Sequence, residues 1–380
     1  MISFQPTEEE TSFIKVAKDF AKNRIRPSAR KCEEQRAVDK ALSDEAAELG
    51  FLSLELSDNL EGLELPLITQ VQLIQVLSYG DLDIIQGLRG TGDAASFFRL
   101  LRDNPILDGY KNALANGATA AFIDMENTKE PWAKQLSIRN DHDGYVLQGV
   151  SQPVLLAAFA DYAVVALKDS QGNSVVLWLD DTVDWTIQQG DYRLGLLASG
   201  LGRFSFENVK IPGSHVFAEG QAADDLLRTA RTRIRVLQAA KEVGLMEAAL
   251  DYATEYTAER KAFGREVAKF QGVSFRVASM TMETRMANHL VLEAAVKTDE
   301  NDPAAERLSL RALHRAHRSL RYVTDSAVQL LGGHGFVQDF PAEKWMRDAQ
   351  AQVALYGREH DLLVRYGEQL IAGEKEVTAT

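Results

Sequence analysis

From about Ala222 to the C-terminus, apolar residues recur at helical spacing over stretches far longer than a β-strand could use, which commits that end of the chain to long helices. Val236, Leu237, Ala240, Val243, Leu245, Met246, Ala249, Leu250 and Ala253 mark one broad apolar face. Further long helices are predicted around residues 267–297, 304–331 and 342–372, punctuated by Asn301-Asp302-Pro303 and Gly332-Gly333-His334-Gly335. Pro303 suits a helix's first turn. Helices of this length with short joints pack as an antiparallel bundle.

The N-terminal part is also helical in texture. Thr7 before Glu8, Glu9 and Glu10 reads as a helix start, with Phe13, Ile14, Val16, Ala17, Phe20 and Ala21 as its apolar stripe. More helices are expected over residues 44–49 and 70–78. After Ala118 short β-rich runs take over at 144–150, 162–167, 175–179, 185–188 and 203–211, and Asp169-Ser170-Gln171-Gly172-Asn173 between two of them reads as a hairpin turn. The expected organisation is an N-terminal helical domain at 1–117, a small antiparallel β-domain at 118–221 and a C-terminal helical bundle at 222–380.

Composition excludes several functions. A chain of 380 residues, 45% apolar, can bury a large core, and its 42 basic against 55 acidic residues give a net charge of −13 that repels nucleic acid and anionic membrane. The single cysteine, Cys32, cannot form an intramolecular disulfide, and nothing near it has metal-ligand spacing, which suits a reducing cytoplasm. The acidic N-terminus lacks the basic and apolar stretches of a secretion signal. The longest apolar candidate, residues 154–167, is broken by Asp161 and falls short of the roughly 20 residues that span a bilayer, so no membrane insertion is expected.

Three segments carry a resemblance. Glu259-Arg260-Lys261-Ala262-Phe263-Gly264 followed by Phe270-Gln271, then Gln329-Leu330-Leu331-Gly332-Gly333-His334-Gly335-Phe336 running through Pro341 to Arg347-Asp348-Ala349, resemble the ERxxFG…FQ and QxxGGxGF…P…RDA motifs of the acyl-CoA dehydrogenase family. Leu194-Gly195 to Ser199, with Phe206-Glu207-Asn208-Val209-Lys210-Ile211-Pro212, resembles the end of that family's β-domain. The resemblance implies a mainly α fold in which the middle domain is an antiparallel β-barrel and the C-terminal domain a four-helix bundle. It also implies that Arg260, Phe263, Gln329, Gly332 and Gly333 contact an FAD held across a subunit interface. Read by themselves, Arg260 offers a planar guanidinium for phosphate or is an ordinary surface arginine beside a core phenylalanine. The glycines permit positive φ and close backbone approach to a ligand, or simply form a helix C-cap.

The departures are as informative. The family takes the substrate's α-proton with a glutamate nine residues after the arginine of RDA; here that position is Tyr356, and the alternative base position, just before Arg235, is Ile234. A phenol with an ordinary pKa near 10 is a poor base at neutral pH, and Glu359, His334 and His360 read as helix-surface or turn residues. The family's Thr-Glu-Pro…Gly-Ser-Asp stretch becomes Phe122-Ile123-Asp124-Met125-Glu126-Asn127 and Glu130-Pro131-Trp132. Its Trp-Ile-Thr triplet becomes Pro153-Val154-Leu155. Arg228, Arg231, Arg233 and Arg235 fall on more than one helix face and read as a solvated or ion-paired surface, with Arg235 the candidate for an anionic substrate group such as a CoA phosphate.

The resemblance therefore implies FAD-dependent α,β-dehydrogenation of an acyl-CoA thioester, and Tyr356 at the base position implies a chain impaired alone or acting as a partner subunit, with FAD bound in the assembly with that partner. It implies a homo- or hetero-oligomer, dimer or tetramer, through the C-terminal bundle, and electron-transfer flavoprotein as electron acceptor. Two alternatives stand beside it: a non-catalytic subunit of a mixed assembly, favoured by the missing base, and a flavin monooxygenase of the same fold, which needs no α-proton base. No catalytic base and no metal ligand set is identified.

Overall fold

The computed structural model describes residues 6–125, 136–189 and 193–378. Helices occupy the chain to Ala115: α1 (Glu8–Phe20) continues through a π-helical turn into α2 (Arg26–Gln35), followed by α3 (Lys40–Glu48), α4 (Leu67–Gly80), α5 (Leu82–Gly87), α6 (Ala95–Leu100), α7 (Pro105–Asp108) and α8 (Lys111–Ala115). The expected start at Thr7 is a capping box, in which the Glu10 amide donates to Thr7 Oγ1 at 3.2 Å and the Thr7 amide donates to the Glu10 carboxylate at 2.7 Å.

Eight strands follow: β1 (Ala120–Asp124), β2 (Ser137–Asp141), β3 (Gly144–Val150), β4 (Tyr162–Lys168), β5 (Ser174–Leu179), β6 (Thr186–Gln189), β7 (Gly202–Pro212) and β8 (Val216–Glu219). They form two four-stranded sheets, ordered β1-β4-β5-β8 and β2-β3-β7-β6. Two expectations are corrected. The strands do not close into a barrel among the described residues, and β1 pairs with β4 in parallel. After β1 the chain leaves to build β2 and β3 in the second sheet, so it re-enters the first sheet in its original direction. Three strands lacked a pattern: β1 begins Ala-Ala, β2 is mostly polar and β8 is four residues long. The Asp169 turn does join β4 to β5 as an antiparallel hairpin.

Ile123, Val165, Leu177, Leu147 and Phe204 fill the space between the sheets. The other face of the first sheet, with Val164, Val176 and Trp178, packs on Phe97, Phe98 and Ile234 from the helices. Buried on both faces, β4 and β5 read as continuous apolar runs, without the alternation of half-exposed strands.

The spine is α9 (Gly220–Glu259), a single helix of 40 residues, about 60 Å long at 1.5 Å per residue. It packs on α4, on the first sheet and on the helices after it. Being covered on several sides, it is apolar on more than the one face expected. At Gly244 a Cβ would stand 2.2 Å from the Gln75 carbonyl oxygen, so only glycine lets α4 come this close. A two-strand hairpin, β9 (Lys261–Ala262) and β10 (Arg265–Glu266), precedes α10 (Gln271–Asp299) and α11 (Ala305–Leu331). The single helix expected over 342–372 is in fact two, α12 (Ala342–Leu355) and α13 (Glu359–Thr378). Gly357, at φ +102°, breaks it and leaves Tyr356 in the joint. Among the described residues no helix is long and apolar enough to cross a membrane.

The three parts meet at Lys344, on α12. Its ammonium lies 2.9 Å from Asp81, 2.7 Å from Asp348 and 3.7 Å from Asp83, all four side chains being buried. The three carboxylates are close enough together to hold a metal, and the lysine supplies the cation among them. Burial pushes Asp83 up to about 7, with Lys344 opposing and the neighbouring aspartates reinforcing the shift. Replacing Lys344 by methionine would leave three buried carboxylates without their counter-charge. We expect a loss of about 3–5 kcal/mol at neutral pH, the range for breaking a buried pair. The carboxyls of Asp83 and Asp348, already raised by burial, would then rise further in the folded state, which would bind more protons than the unfolded chain. The deficit relative to wild type should therefore shrink as pH falls from 7 to about 5. Denaturant midpoints of both proteins at the two pH values test this, and an equal or larger gap at the lower pH would refute the assignment.

Candidate functional site

A cavity of about 890 Å³ lies between the first sheet, the loop before α6, α9 and the α12–α13 joint. Tyr356 projects into it, and its hydroxyl donates to Asp93 Oδ2 at 2.7 Å. Burial, then the Asp93 charge and this hydrogen bond, push the phenol well above its ordinary value. Tyr356 is therefore a worse base here than a free tyrosine. Ile234 also lines the cavity and packs against the sheet. Both positions from which the family presents its base are thus on the cavity wall, and neither carries a titratable group useful at neutral pH.

Asp93 was not singled out in the sequence. It sits just ahead of α6, where an acidic residue between glycine and alanine reads as a helix start. Gln238 Nε2 donates to its second oxygen at 2.8 Å. Gln238 Oε1 in turn accepts from Gln86 Nε2 (2.7 Å) and Gln352 Nε2 (3.0 Å), and Lys241 Nζ donates to Gln86 Oε1 (2.8 Å). Gln352 also reaches Glu242, which pairs with His317 at 2.8 Å, both fully buried. Burial pushes the Lys241 ammonium down, against the Asp93 charge. A signal for this network was present: Gln238, Lys241 and Glu242 interrupt an otherwise apolar stretch of α9, and the expected apolar face passed over them.

The arginines of α9 correct another expectation. Arg228 does pair on the surface with Asp225, at 2.7 Å. Arg231 instead grips the Asp124 carboxylate with two bonds of 2.6 and 2.9 Å at the cavity wall. Arg233 is buried against Glu55 (2.7 Å), tying α9 to the N-terminal helices. Arg235 is buried too, lines the cavity and lies 4.0 Å from Glu306. Alternate positions on a helix covered from several sides point inward as well as outward. Pro153, Val154 and Leu155 also line the cavity, with Val154 bridged to Gly202 through backbone bonds of 2.8 and 3.1 Å. Glu126, Asn127, Glu130, Pro131 and Trp132 lie outside the described residues.

A second concavity, of about 550 Å³, collects Arg260, Gln329, Gly332 and Gly333 with Arg276 and His334. Gly332 has φ +59°; Gly333 does not need a positive φ, so the conformational demand falls on the first glycine. A Cβ on either would meet no atom within 4 Å, so both backbones face open space. His334 is a turn residue, hydrogen-bonded to Tyr256 at 2.9 Å and stacked on Phe340. Phe263 stands apart, at the tip of the β9–β10 hairpin, 96% exposed and with a left-handed backbone of φ +53°. Glycine at the next position, φ +80°, completes the two-residue turn. Along α9 the two concavities are about 22 Å apart, counted from Lys241 to Tyr256 at 1.5 Å per residue.

The chain is similar to the N-terminal domain of acyl-CoA dehydrogenases over residues 7–94 and to their C-terminal domain over residues 225–360. It is 26% identical over 368 residues to a short-chain-specific acyl-CoA dehydrogenase of Megasphaera elsdenii, covering 92% of this chain and 94% of that one. It is 27% identical over 350 residues to a mitochondrial short-chain-specific acyl-CoA dehydrogenase of Sus scrofa, covering 88% and 83%. The solved structure of butyryl-CoA dehydrogenase from Megasphaera elsdenii matches with a TM-score of 0.84 at 26% identity, over 97% of this chain and 100% of that one.

The raised Tyr356 pKa has a direct optical consequence. The chain has 10 tyrosines, and those near the ordinary value ionise around pH 10. Tyr356→Phe should leave the tyrosinate absorbance reached by pH 10 in the folded protein unchanged. A variant that loses one titrating phenol in that range would show that Tyr356 ionises with the rest.

Proposed function

The chain belongs to the acyl-CoA dehydrogenase family, and on that premise we propose that it carries out FAD-dependent α,β-dehydrogenation of an acyl-CoA thioester, in an oligomer whose subunits complete one another's flavin sites. The observation that carries the subunit arrangement is Phe263. An almost fully exposed phenylalanine in a left-handed conformation is unfavourable twice over in an isolated chain. It stands at the tip of the hairpin just after Arg260, whose side chain lines the second concavity with the two glycines. The exposed Phe275, Met282 and Met286 on α10, and Phe336 after α11, add apolar surface in the same C-terminal half.

The donor set fits FAD in two parts. Arg260 and Gln329, with the Cβ-free edge at Gly332 and Gly333, suit a diphosphate and the close approach of a planar ligand belonging to the neighbouring subunit. In the larger cavity Pro153, Val154 and Leu155 offer an apolar wall for a ring system. FAD held there would supply a hydride acceptor for the substrate's β-carbon. This chain's own residues enclose the thioester between the first sheet and α9 and limit its access to water. Arg235 is the wall residue proposed to face the substrate's anionic part. Electron-transfer flavoprotein is the proposed acceptor of the electrons, and a reducing cytoplasm the compartment that the buried single Cys32 suits. Apart from the departures at the base positions and the flavin triplet, no observation favours the non-catalytic subunit, and none favours the monooxygenase over this reading.

Two measurements test it. Flavin released from the purified assembly is counted for wild type and Arg260→Ala. A charge-assisted phosphate contact of about 1.5–3 kcal/mol implies flavin held roughly 10- to 150-fold more weakly in the variant, with stability changed by only about half a kcal/mol. Equal flavin affinity in the two proteins would make the second concavity a structural remnant. Sedimentation should give a dimer or larger at micromolar concentration, and a lone flavin-loaded monomer would end the subunit argument.

A further inference from the structure

The usual base positions hold Tyr356 and Ile234, yet a carboxylate stands directly against one of them. Asp93 accepts one hydrogen bond at each oxygen, from Tyr356 and from Gln238. An ionised carboxylate has about four acceptor positions, so each oxygen keeps room for a proton. The residue lines the cavity and is only partly buried. Other carboxylates around the cavity are placed differently. Asp124 is clamped by Arg231, and Glu359 lies 2.7 Å from Arg321. A contacting cation stabilises the ionised form and weakens it as a base. Asp361 and Glu368 belong to α13, with Glu368 exposed. Asp93 makes no ion pair among the described residues, and it alone of these five is hydrogen-bonded to Tyr356.

We infer that Asp93 is the catalytic base of this chain and that Tyr356 is its positioning residue, a phenol on the joint and a carboxylate ahead of α6 replacing the glutamate that the joint would otherwise carry. The inference takes from the dehydrogenase reading only that a CoA thioester enters this cavity. In the step, an Asp93 oxygen takes the proton from the carbon next to the thioester carbonyl. The C–H bond breaks, an O–H bond forms, and the electron pair moves onto the carbonyl oxygen as an enolate. The reverse step returns a proton to carbon, so exchange requires no oxidant. The glutamine network behind Asp93 gives the carboxylate one orientation: Gln238 is itself held by Gln86 and Gln352.

The test is deuterium exchange at the α-carbon. The assembly as isolated is incubated with butyryl-CoA in deuterium oxide, and label in the recovered thioester is read by mass spectrometry, with flavin content and flavin bleaching followed in parallel. Wild type should exchange; Asp93→Asn should lower the rate roughly 10²- to 10⁴-fold, the usual contribution of a general base, with thioester affinity and melting temperature nearly unchanged. Tyr356→Phe should slow exchange by a smaller factor at the same affinity. Adding Tyr356→Glu to Asp93→Asn should restore exchange by returning a carboxylate to the joint. Exchange at the wild-type rate in Asp93→Asn, or none in wild type, overturns the inference. If Asp93→Asn does not fold, Tyr356→Phe decides: unchanged exchange overturns it, slowed exchange at unchanged affinity supports it. Failure of the dehydrogenase reading looks different. Asp93-dependent exchange without flavin bleaching leaves the base standing and removes the redox assignment, whereas bleaching that survives Asp93→Asn does the reverse.

Discussion

The ammonium of Lys344 is the contact on which the arrangement of the three parts depends. Asp81 caps the start of α5 through the Ile84 amide, Asp83 accepts from the Ala198 amide with both oxygens at 3.0 Å, and Asp348 accepts from the Leu196 amide at 2.7 Å. One lysine on α12 therefore holds the N-terminal helices, the loop ahead of β7 and the C-terminal helices in a single frame. A buried charge of this kind adds little net stability when it is satisfied, and it costs a great deal when a partner is lost. In this arrangement the ammonium meets all three carboxylates, and the position of α12 sets where the joint after it, with Tyr356, ends up.

The cavity is built by a comparable device. Long α9 would make a conventional apolar core helix but for Gln238, Lys241 and Glu242, which join Gln86, Gln352 and His317 in a hydrogen-bonded cluster behind Asp93. In a low-dielectric interior such a network strengthens its own bonds and penalises any member left unpaired. Rigidity at the back of the cavity and a defined carboxylate at its wall are two results of the same arrangement. Gly244 has a related role, since without its close approach to Gln75 the helix carrying these groups would stand farther from α4.

The second concavity follows a different logic. Arg260 and Gln329 are convergent, the glycine edges are open and Phe263 is held out in a left-handed turn, with an edge contact to Phe270 and most of its surface uncovered. Strain and exposed aromatic surface of this kind are stable features when another surface covers them. The proposed division of labour, in which one subunit supplies the substrate cavity and its neighbour the phosphate contacts, makes ligand binding and assembly a single linked equilibrium.

Much of the secondary structure was written locally. The capping box at Thr7, the hairpin at Asp169, the helical period from Ala222 onward and the helix-ending glycines are short-range signals, each set by backbone geometry or by hydrogen bonds spanning a few residues. The motifs around Arg260 and Gly332 were legible for the same reason, because their order along the chain carries them. Tertiary structure alone decided the rest. Whether the sheets close, and that β1 runs parallel to β4, depend on the path of residues between them. That Arg233 and Arg235 are buried depends on how many neighbours α9 has. Asp93 and Tyr356 are 263 residues apart in the chain, and no periodicity or motif relates positions so distant. They meet because Lys344 seats α12 and Gly357 turns the chain there, and a hydrogen bond formed by such a meeting leaves no trace in either local sequence.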